Sequence, residues 1–401
     1  MFRSSLPRHT LPSPAARLRS RGAAGVALAV GTAGLAVAAW AGPAQASSSC
    51  TTGATVTCTY TGAGTYSFTV PAGVTSLDVT AVGAAGGDSP TDCTPIFAGG
   101  AGAAVEDTAV PVSTDQGQAL TVIVGGVGGN GSATDGGEGG TPGAGGAGGD
   151  YPGGNPNAVC DGGGGGGFSG LLDSGTALVI GAGGGGAGTG GPGGAGGTAA
   201  SINGDPGSAS DETDDGGPGG GGGVGGMGGT AGSSANGGGA GNAGMSLQGG
   251  QGGTSNGSDN SSGGGGGGGY FGGGGGGGGF ASGGGGGGSS YPTTGLIAAA
   301  AGPASVTISY KAPVITRLSP DRGPSYGFTP VLITGSGLAC PAHDYSCKVT
   351  VTFGQRRALV VLDRPTKIWV LSPPGSGTVP VTVTVGGVSS QPATFTYLRF
   401  L

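Results

Sequence analysis

The stretch Ser262–Tyr291, SGGGGGGGYFGGGGGGGGFASGGGGGGSSY, decides what kind of fold this chain can form. It belongs to a longer tract, residues 101–300, that holds 84 of the 108 glycines. Glycine brings no side chain to bury and loses more backbone freedom on folding than any other residue. Such a tract is therefore either disordered or ordered by hydrogen bonds between backbones.

Short strand patterns bracket the tract. Residues 65–70 alternate ring and hydroxyl side chains, and residues 74–82, 119–124 and 176–180 are further strand candidates. Residues 305–310 alternate again after the last glycine run. A spacer between two complete domains has no reason to begin among strands and end with one more. The pattern predicts one domain over residues 47–310, whose last strand returns to pair with early strands.

The tract itself has two open interpretations. A collagen triple helix is excluded because the glycines lack a strict three-residue period and proline is sparse. A flexible linker is the simpler alternative. Polyglycine also forms extended helices with three residues per turn and no internal hydrogen bonds, and such helices can bundle through backbone contacts. Aromatic residues beside the glycine runs favour the ordered bundle; they are Phe168, Tyr270, Phe271, Phe280 and Tyr291.

The ends of this region resemble a known family. Tyr60-Thr61 and the stretch Tyr66–Leu77 look like the opening of the extracellular glycine-rich domain family. Residues 269–273, GYFGG, and the closing residues 306–310, VTISY, are similar to the same pattern. The resemblance covers about residues 55–310. It implies a β-sandwich packed beside polyglycine helices, as in bacterial surface proteins, and it supplies no site residues.

Residues 312–398 have a different character, with short alternating strands separated by glycine and proline turns. Residues 318–324, LSPDRGP, residues 331–337, VLITGSG, and the terminal Thr394–Tyr397 resemble the IPT/TIG immunoglobulin-like family. The resemblance implies a small β-sandwich over residues 311–401, so the whole chain is expected to be all-β. Two features depart from that family: Phe328 stands where a second glycine is usual, and Cys340–Cys347 bracket an inserted loop with His343, Asp344 and Tyr345.

Residues 1–46 have the pattern of a signal peptide. Five arginines precede an apolar stretch, Ala23–Trp40, and Ala44-Gln45-Ala46 forms a small-x-small cleavage site. An uncleaved membrane anchor is the alternative, because the apolar stretch approaches spanning length. The glycines and the cleavage site favour export, and the chain is expected to be a secreted or cell-wall-associated bacterial protein without a membrane span after cleavage.

Cysteine usage agrees with export. All six cysteines follow residue 46, and an even count in an exported chain predicts disulfides. Proximity in sequence suggests the pairs Cys50–Cys58, Cys93–Cys160 and Cys340–Cys347. A zinc site is the alternative, but the sequence contains no Cys-x-x-Cys pair and only one histidine beyond residue 46.

The charges divide sharply along the chain. Residues 47–310 contain 17 acidic and no basic side chains, whereas residues 311–401 contain nine basic and three acidic ones. An acidic region without cations argues against binding to nucleic acid or to anionic membranes. The basic C-terminal residues either dock on the acidic domain or an anionic wall polymer, or are simply solvated; they include Arg317, Arg322, Lys348, Arg356, Arg357, Arg364 and Lys367.

The sequence contains no convincing catalytic set. Residues 253–257, GTSNG, match the Gly-x-Ser-x-Gly elbow of hydrolases but lack the strand, the helix and the histidine that the elbow requires. A weak calcium candidate is formed by acidic residues in one loop, where a solvated run is the more common explanation; they are Asp211, Glu212, Asp214 and Asp215. No cofactor is expected.

Together these patterns predict a secreted, non-enzymatic surface protein of structural or adhesive function. Its expected partner is a cell-wall polymer, a polysaccharide or another surface protein. An extracellular carbohydrate-binding accessory protein or polysaccharide-active enzyme is the alternative, motivated by the 17 unpaired acids and the aromatic residues in the tract.

Overall fold

Twenty β-strands and no helix form the regular secondary structure of the described residues. The computed structural model describes residues 47–399, apart from residues 52, 72–73, 113–114, 116, 133–134, 151–159, 198–202, 209–219, 224–225, 235–237, 256–260, 280, 293–294 and 341–346. The predicted signal peptide, the acidic run 211–215, Phe280 and the loop residues His343, Asp344 and Tyr345 lie outside the described residues. The expected all-β class is confirmed for the part described.

The first ten strands form two sheets. A six-stranded sheet has the order β1-β2-β10-β4-β5-β9, and a four-stranded sheet has the order β3-β6-β7-β8. The strand bounds are β1 Ser47–Cys50, β2 Thr55–Thr61, β3 Gly64–Thr69, β4 Ser76–Val82, β5 Ala103–Pro111, β6 Ala119–Val124, β7 Ser169–Asp173, β8 Thr176–Gly181, β9 Leu296–Ala299 and β10 Ser305–Lys311.

Strand β10, which follows the glycine tract, lies between two early strands. It pairs antiparallel with β2, where Ile308 lies opposite Cys58, and with β4, where Ile308 lies opposite Val79. Val306 and Ile308 are fully buried and alternate with half-buried hydroxyl residues. The alternation visible in the sequence thus marks which face of β10 packs on the core between the two sheets.

The glycine segments lie outside the strands and bond to one another. In residues 163–167, successive N–H groups donate to three neighbouring segments in turn, and the partner segment repeats at every third residue. The distances are 2.8 Å for Gly163 to Ala187, Gly164 to Gly129, Gly165 to Gly146, Gly166 to Gly184 and Gly167 to Gly126.

The same segment accepts hydrogen bonds from three further segments. The carbonyls of Gly162 and Gly165 accept from residues 137–140, those of Gly164 and Gly167 from residues 84–87, and those of Gly163 and Gly166 from residues 265–268. Six neighbours therefore surround one glycine segment. Its buried backbone groups are paired although it belongs to no sheet.

Side chains are excluded from this arrangement. A Cβ added at Gly164, Gly165 or Gly166 would lie less than 3.0 Å from a backbone carbonyl of a neighbouring segment, closer than real Cβ atoms approach. The glycines are required there because backbones approach each other directly.

The last ten strands form two further sheets. Their orders are β11-β13-β17-β16 and β12-β20-β18-β14-β15, with β19 paired to β18. The bounds are β11 Val314–Ser319, β12 Arg322–Pro324, β13 Pro330–Ser336, β14 Val349–Phe353, β15 Arg356–Arg357, β16 Leu359–Arg364, β17 Lys367–Leu371, β18 Gly377–Val385, β19 Val388–Ser389 and β20 Ala393–Leu398. A second hydrophobic core lies between the two sheets, where the Phe395 ring packs edge-on against Phe353 and Tyr397.

The two groups of sheets are joined directly. The described residues belong to one compact unit, Ala44–Leu401. The N–H of Ala312 donates to the carbonyl of Ala54 at 2.9 Å, and Val388 of the C-terminal sheets is buried with the first core. The connection from β10 to β11 is therefore fixed by a backbone hydrogen bond to the first group of sheets, and Val388 of the second group packs in the first core.

Three disulfides bridge the chain, and they join the cysteines that sequence proximity suggests. Cys50 bonds Cys58 across β1 and β2, Cys93 bonds Cys160, and Cys340 bonds Cys347. None of the described cysteines is free. A search of the described residues for helices long and apolar enough to cross a membrane finds none.

Candidate interaction surface

The outer face of the sheet β11-β13-β17-β16 carries side chains that a solvated sheet face does not normally carry. In β17, Ile368 and Val370 point into the core and are buried. Because side chains alternate along a strand, Lys367, Trp369 and Leu371 lie on the opposite, outer face. An antiparallel sheet with one wet face is usually polar on that face, and this one is not.

Strand register places two apolar rows across this face. Leu371 lies opposite Pro330 of β13 and Leu359 of β16. Trp369 lies opposite Leu332 of β13 and Leu362 of β16. These residues come from three strands and form one continuous patch.

A third row on the same face is basic. Thr334 of β13 lies between Arg317 of β11 and Lys367 of β17, and Lys367 lies opposite Arg364 of β16. The single ion pair found among the described residues joins Arg322 to Asp321, so these three cations have no acidic partner there. We call the two apolar rows and the basic row the apolar–basic face.

The apolar–basic face extends to the edge of its sheet, which is strand β16. It is the last strand of its sheet, so one side of its backbone has no strand partner within the described part of the chain. Leu359 is 65% exposed, Val361 62% and Leu362 44%, and Trp369 on the next strand is 41% exposed. A register shift between Val360 and Leu362 leaves Val361 as the extra residue of a bulge. Exposed apolar side chains beside an open edge are typical of a contact surface.

Phe328 lies in the loop before β13, two residues from Pro330 of the apolar rows. Its ring is 71% exposed, and its N–H donates to the Ser372 carbonyl at 2.8 Å, just after the end of β17. Its φ of 60° is the left-handed conformation that bulky residues rarely adopt. An exposed aromatic side chain in a backbone conformation that suits glycine costs about 1–3 kcal/mol. The residue that departs from the family pattern is thus a strained, solvent-facing ring.

The aromatic residues of the glycine tract come together at another place. Phe168 is buried with Leu172 and Ile180, and Tyr270 and Tyr291 pack against this cluster. The Tyr270 ring stacks on Tyr291 at 4.6 Å between centroids and meets Phe271 edge-on at 4.9 Å. These rings are half-buried or buried and close one part of the glycine segments. Their arrangement accounts for them as packing residues.

Burial also shapes the ionisation of several rings. Burial raises the pKa of Tyr60, and the nearby Tyr310 hydroxyl raises it further. Burial raises the pKa of Tyr310. In the C-terminal sheets, burial raises the pKa of Tyr397 while Arg356 lowers it, and the Tyr397 hydroxyl donates to the Pro373 carbonyl at 2.7 Å. These tyrosines are neutral structural groups at physiological pH.

The catalytic and metal candidates find no support in the described residues. Ser255 of the elbow-like motif is buried, and no strand precedes it among the described residues 238–254; residues 256–260, which follow it, lie outside the described residues. No group of three or more metal-ligating side chains occurs in the ranges that the structure describes. The calcium candidates Asp211, Glu212, Asp214 and Asp215 lie outside those ranges.

Sequence reasoning missed the apolar–basic face. Its members lie on four strands between Arg317 and Leu371, and only the register brings them together. Two indications were available in the sequence: the basic residues Arg317, Arg364 and Lys367, which are docking candidates by their charge, and Phe328, because a phenylalanine at a glycine position requires an explanation.

Comparison with known proteins identifies the domain family of the C-terminal sheets. The IPT/TIG domain family matches residues 313–397, whereas no curated protein matches the chain. Two solved structures of the Plexin A4 extracellular region, one of domains 1 to 8 and one of domains 1 to 10, are each 21% identical and cover 30% of this chain. Their TM-scores are 0.20 and 0.21, and the chain spans 13% and 11% of their lengths. Residues 313–397 are therefore an IPT/TIG domain.

Proposed function

We propose that this protein is a secreted, non-enzymatic binding protein in which a rigid glycine-rich β-domain, residues 47–310, carries the IPT/TIG domain as its contact module. The observation that carries this proposal is the apolar–basic face. Trp369, Leu362 and Leu359 cost free energy when they are left in water, and a partner that covers them recovers it.

Three disulfides support export. Disulfides persist in oxidising compartments and are rare where thiols are kept reduced. Two of the disulfides lie within residues 47–310 and one lies within residues 311–401, so both parts of the chain are suited to an extracellular environment. The signal-peptide pattern of residues 1–46 supports the same localisation.

We further propose that the glycine segments are polyglycine-II-type helices. Such helices have three residues per turn and no internal hydrogen bonds. The three-residue repeat of hydrogen-bond partners along residues 163–167 supports this assignment, as do the six neighbouring segments around it. It also supports membership of residues 55–310 in the extracellular glycine-rich domain family, whose opening and closing motifs lie in strands β2–β4 and β10.

The partner is an anionic extracellular macromolecule. Three cations in one row, none of which forms an ion pair among the described residues, favour a negative surface opposite them. Two apolar rows lie beside these cations. Because the rim of a protein interface is polar and its core is apolar, the two rows favour a partner that covers them with its own apolar surface.

The proposal is tested in the producing organism with a tagged chain. Cell fractionation should place the wild-type protein outside the cytoplasm, retained on the envelope. Trp369→Ser removes the central ring of the face and should release the protein into the medium. Val127→Ser removes a still more exposed apolar residue of the glycine tract, 66% against 41% for Trp369, and should leave retention unchanged.

A purely cytosolic wild-type pool would contradict the proposal, and so would retention that Trp369→Ser does not alter. An assay for hydrolysis of envelope polysaccharides addresses the enzymatic alternative. We expect no release of sugar by the wild-type protein, and turnover that survives purification to homogeneity would replace the binding function with an enzymatic one.

A further inference from the structure

We propose that the apolar–basic face binds the glycine-rich domain of a second copy of this chain, so that copies associate head to tail. This inference rests on the proposed function, because it names the partner of the same face. The contact point on the second copy is the edge of the six-stranded sheet formed by β9.

The charge distribution selects this partner. Residues 47–310 carry 17 acids and no base, whereas residues 311–401 carry nine bases and three acids. Any surface of the glycine-rich domain that meets Arg317, Lys367 and Arg364 is therefore neutral or negative. Like charges never oppose each other in this contact, and complementary charges guide the encounter.

Strand β9 offers an apolar and acidic edge of matching chemistry. It is the last strand of the six-stranded sheet, and Leu296 on it is 76% exposed. Leu296 lies opposite Glu106 of β5, and Glu106 lies opposite Thr80 of β4. Asp78 lies on the outer face of the same sheet, two residues along β4 from Thr80, and both acids are exposed. We call Leu296, Glu106 and Asp78 the acidic edge.

Two open edges favour pairing by strand addition. β16 and β9 each end a sheet, and one side of each pairs with no strand among the residues that the structure describes. Adding one edge strand to another satisfies those groups, while side chains on the flanking rows decide which strands pair. Leu359 and Leu362 on one copy and Leu296 on the other supply the apolar contact.

Contact between two apolar–basic faces is the less favourable arrangement. It would bring Arg317, Lys367 and Arg364 of both copies together, six cations that form no ion pair within their own chain among the described residues, and buried charges require a partner. Head-to-tail contact joins different surfaces, so each copy keeps one free face and one free edge. Contacts of this kind continue into open chains unless the rotation closes a ring.

Sedimentation velocity on the secreted, disulfide-bonded chain tests the inference with two charge-reversed variants. The face variant combines Arg364→Glu with Lys367→Glu, and the edge variant combines Glu106→Lys with Leu296→Lys. All four residues are exposed, so the fold should survive. Matched controls make the same kinds of change elsewhere: Lys348→Glu with Arg399→Glu, and Glu138→Lys with Val127→Lys.

The expected result depends on the two surfaces being different. Wild-type protein and both controls should form a concentration-dependent series of oligomers. Either variant alone should associate at least about tenfold more weakly. An equimolar mixture of the two variants should associate again, at least as far as dimers, because the intact face of the edge variant meets the intact edge of the face variant, and the two reversed surfaces left on each dimer carry opposite charges.

Three outcomes would overturn the inference. A monomeric wild type at every concentration would end it, as would an edge variant that associates like the wild type. Failure of the mixture to form dimers would show that an intact face does not bind an intact edge. If the variants do not fold, salt decides: wild-type association should weaken between about 0.1 M and about 1 M, where the Debye length falls from about 10 Å to about 3 Å, and association that salt leaves unchanged contradicts the contact.

The result separates this inference from the proposed function. A monomeric protein whose envelope retention still requires Trp369 would retain the binding function and reject the second copy as its partner. A protein that assembles but is confined to the cytoplasm would reject the proposed function instead.

Discussion

Phe328 shows how one residue can reveal a functional surface. Its backbone has a conformation that glycine adopts without strain, and its ring is 71% exposed, so the side chain contributes little to packing. A bulky residue in the left-handed region costs stability that something else must offset. Contact with a partner offers a reason for the residue, because aromatic side chains are frequent anchors of interfaces.

Phe328→Gly is therefore expected to stabilise the protein while weakening association. Relief of the left-handed strain should raise the free energy of unfolding by about 1 kcal/mol. Thermal unfolding and sedimentation of the same sample measure the two effects. Phe328→Ala removes the ring but keeps a Cβ at positive φ, so it should weaken association with less gain in stability. A loss of stability in Phe328→Gly would contradict the strain assignment.

Tyr60 predicts an alkaline limit to stability. Its side chain is buried, and burial together with Tyr310 raises its pKa above the ordinary value. The unfolded tyrosine ionises near pH 10, so the neutral ring contributes its stability fully below that pH. The contribution is lost as pH rises through the raised folded-state pKa.

Chemical unfolding at about pH 8 and about pH 11 should show a fall in the free energy of unfolding. The fall should be smaller in Tyr60→Phe, which has no ionisable hydroxyl. It should not vanish, because burial also raises the pKa of Tyr310 and Tyr397. Equal falls in wild type and Tyr60→Phe would show that Tyr60 ionises as easily in the folded protein as in the unfolded chain.

At the scale of elements, the alternation of apolar and polar residues correctly predicted strands that have one buried and one solvent-exposed face. Residues 65–70, 119–124 and 305–310 became β3, β6 and β10 because one side of each is buried and the other wet. Several strands were missed, among them β1, β5, β7, β9 and β16, and for two of them the physical reason is clear. β16 is exposed along nearly its whole length, so no buried face produces a pattern. β5 contains a register shift opposite Leu77 and Val79, and Ala109 within it has a positive φ.

The glycine segments set the limit of sequence-based prediction. Their composition left both a linker and an ordered bundle open, because a glycine run has no side-chain periodicity that reports its neighbours. The partners of Gly164, for example, are Gly129 and Gly87, which lie far away in sequence. The apolar–basic face also depends on which residues of different strands lie opposite each other, and the sequence does not report this register.

Single alanine substitutions should distinguish packed from open glycines. A Cβ at Gly166 would meet the carbonyls of Ala84 and Ala85 at less than 3.0 Å. Gly166→Ala should therefore destabilise the protein by about 3 kcal/mol or more, as overpacking of a tight interior does. At Gly302 an added Cβ would meet no atom within 4 Å, so this residue provides the matched control.

Gly302→Ala is expected to be neutral or to stabilise by up to about 1 kcal/mol, because alanine restricts the unfolded chain. Both values follow from denaturant unfolding curves of the two variants beside the wild type. A Gly166→Ala protein as stable as Gly302→Ala would mean that the glycine backbones are not in direct contact.

At the scale of the whole molecule, the disulfides differ in what they restrain. Cys93–Cys160 closes a separation of 67 residues, and Cys340–Cys347 closes one of 7. Longer loops lose more freedom in the unfolded chain when they are closed. Replacing Cys93 and Cys160 by serine should cost about 4 kcal/mol, against about 2 kcal/mol for Cys340 and Cys347. Equal losses in the two double variants, measured by unfolding under non-reducing conditions, would contradict this order.

The proposed function divides two tasks between the parts of the molecule. The glycine backbones would form the scaffold, and the IPT/TIG domain would present side chains to a partner. Residues 47–310 contain 17 of the acidic groups and no basic group, whereas residues 311–401 contain nine basic and three acidic groups. This uneven distribution of charge is the basis of the proposed contact between unlike ends of two copies.

The central claim is that the glycine tract is an ordered, hydrogen-bonded scaffold, and amide hydrogen exchange of the intact chain tests it most directly. N–H groups of residues 163–167 and 263–268 donate to buried carbonyls, and they should exchange as slowly as those of strand β10. Exchange of these glycines at the rate of an unstructured peptide, while β10 stays protected, would contradict the account and establish a flexible tract.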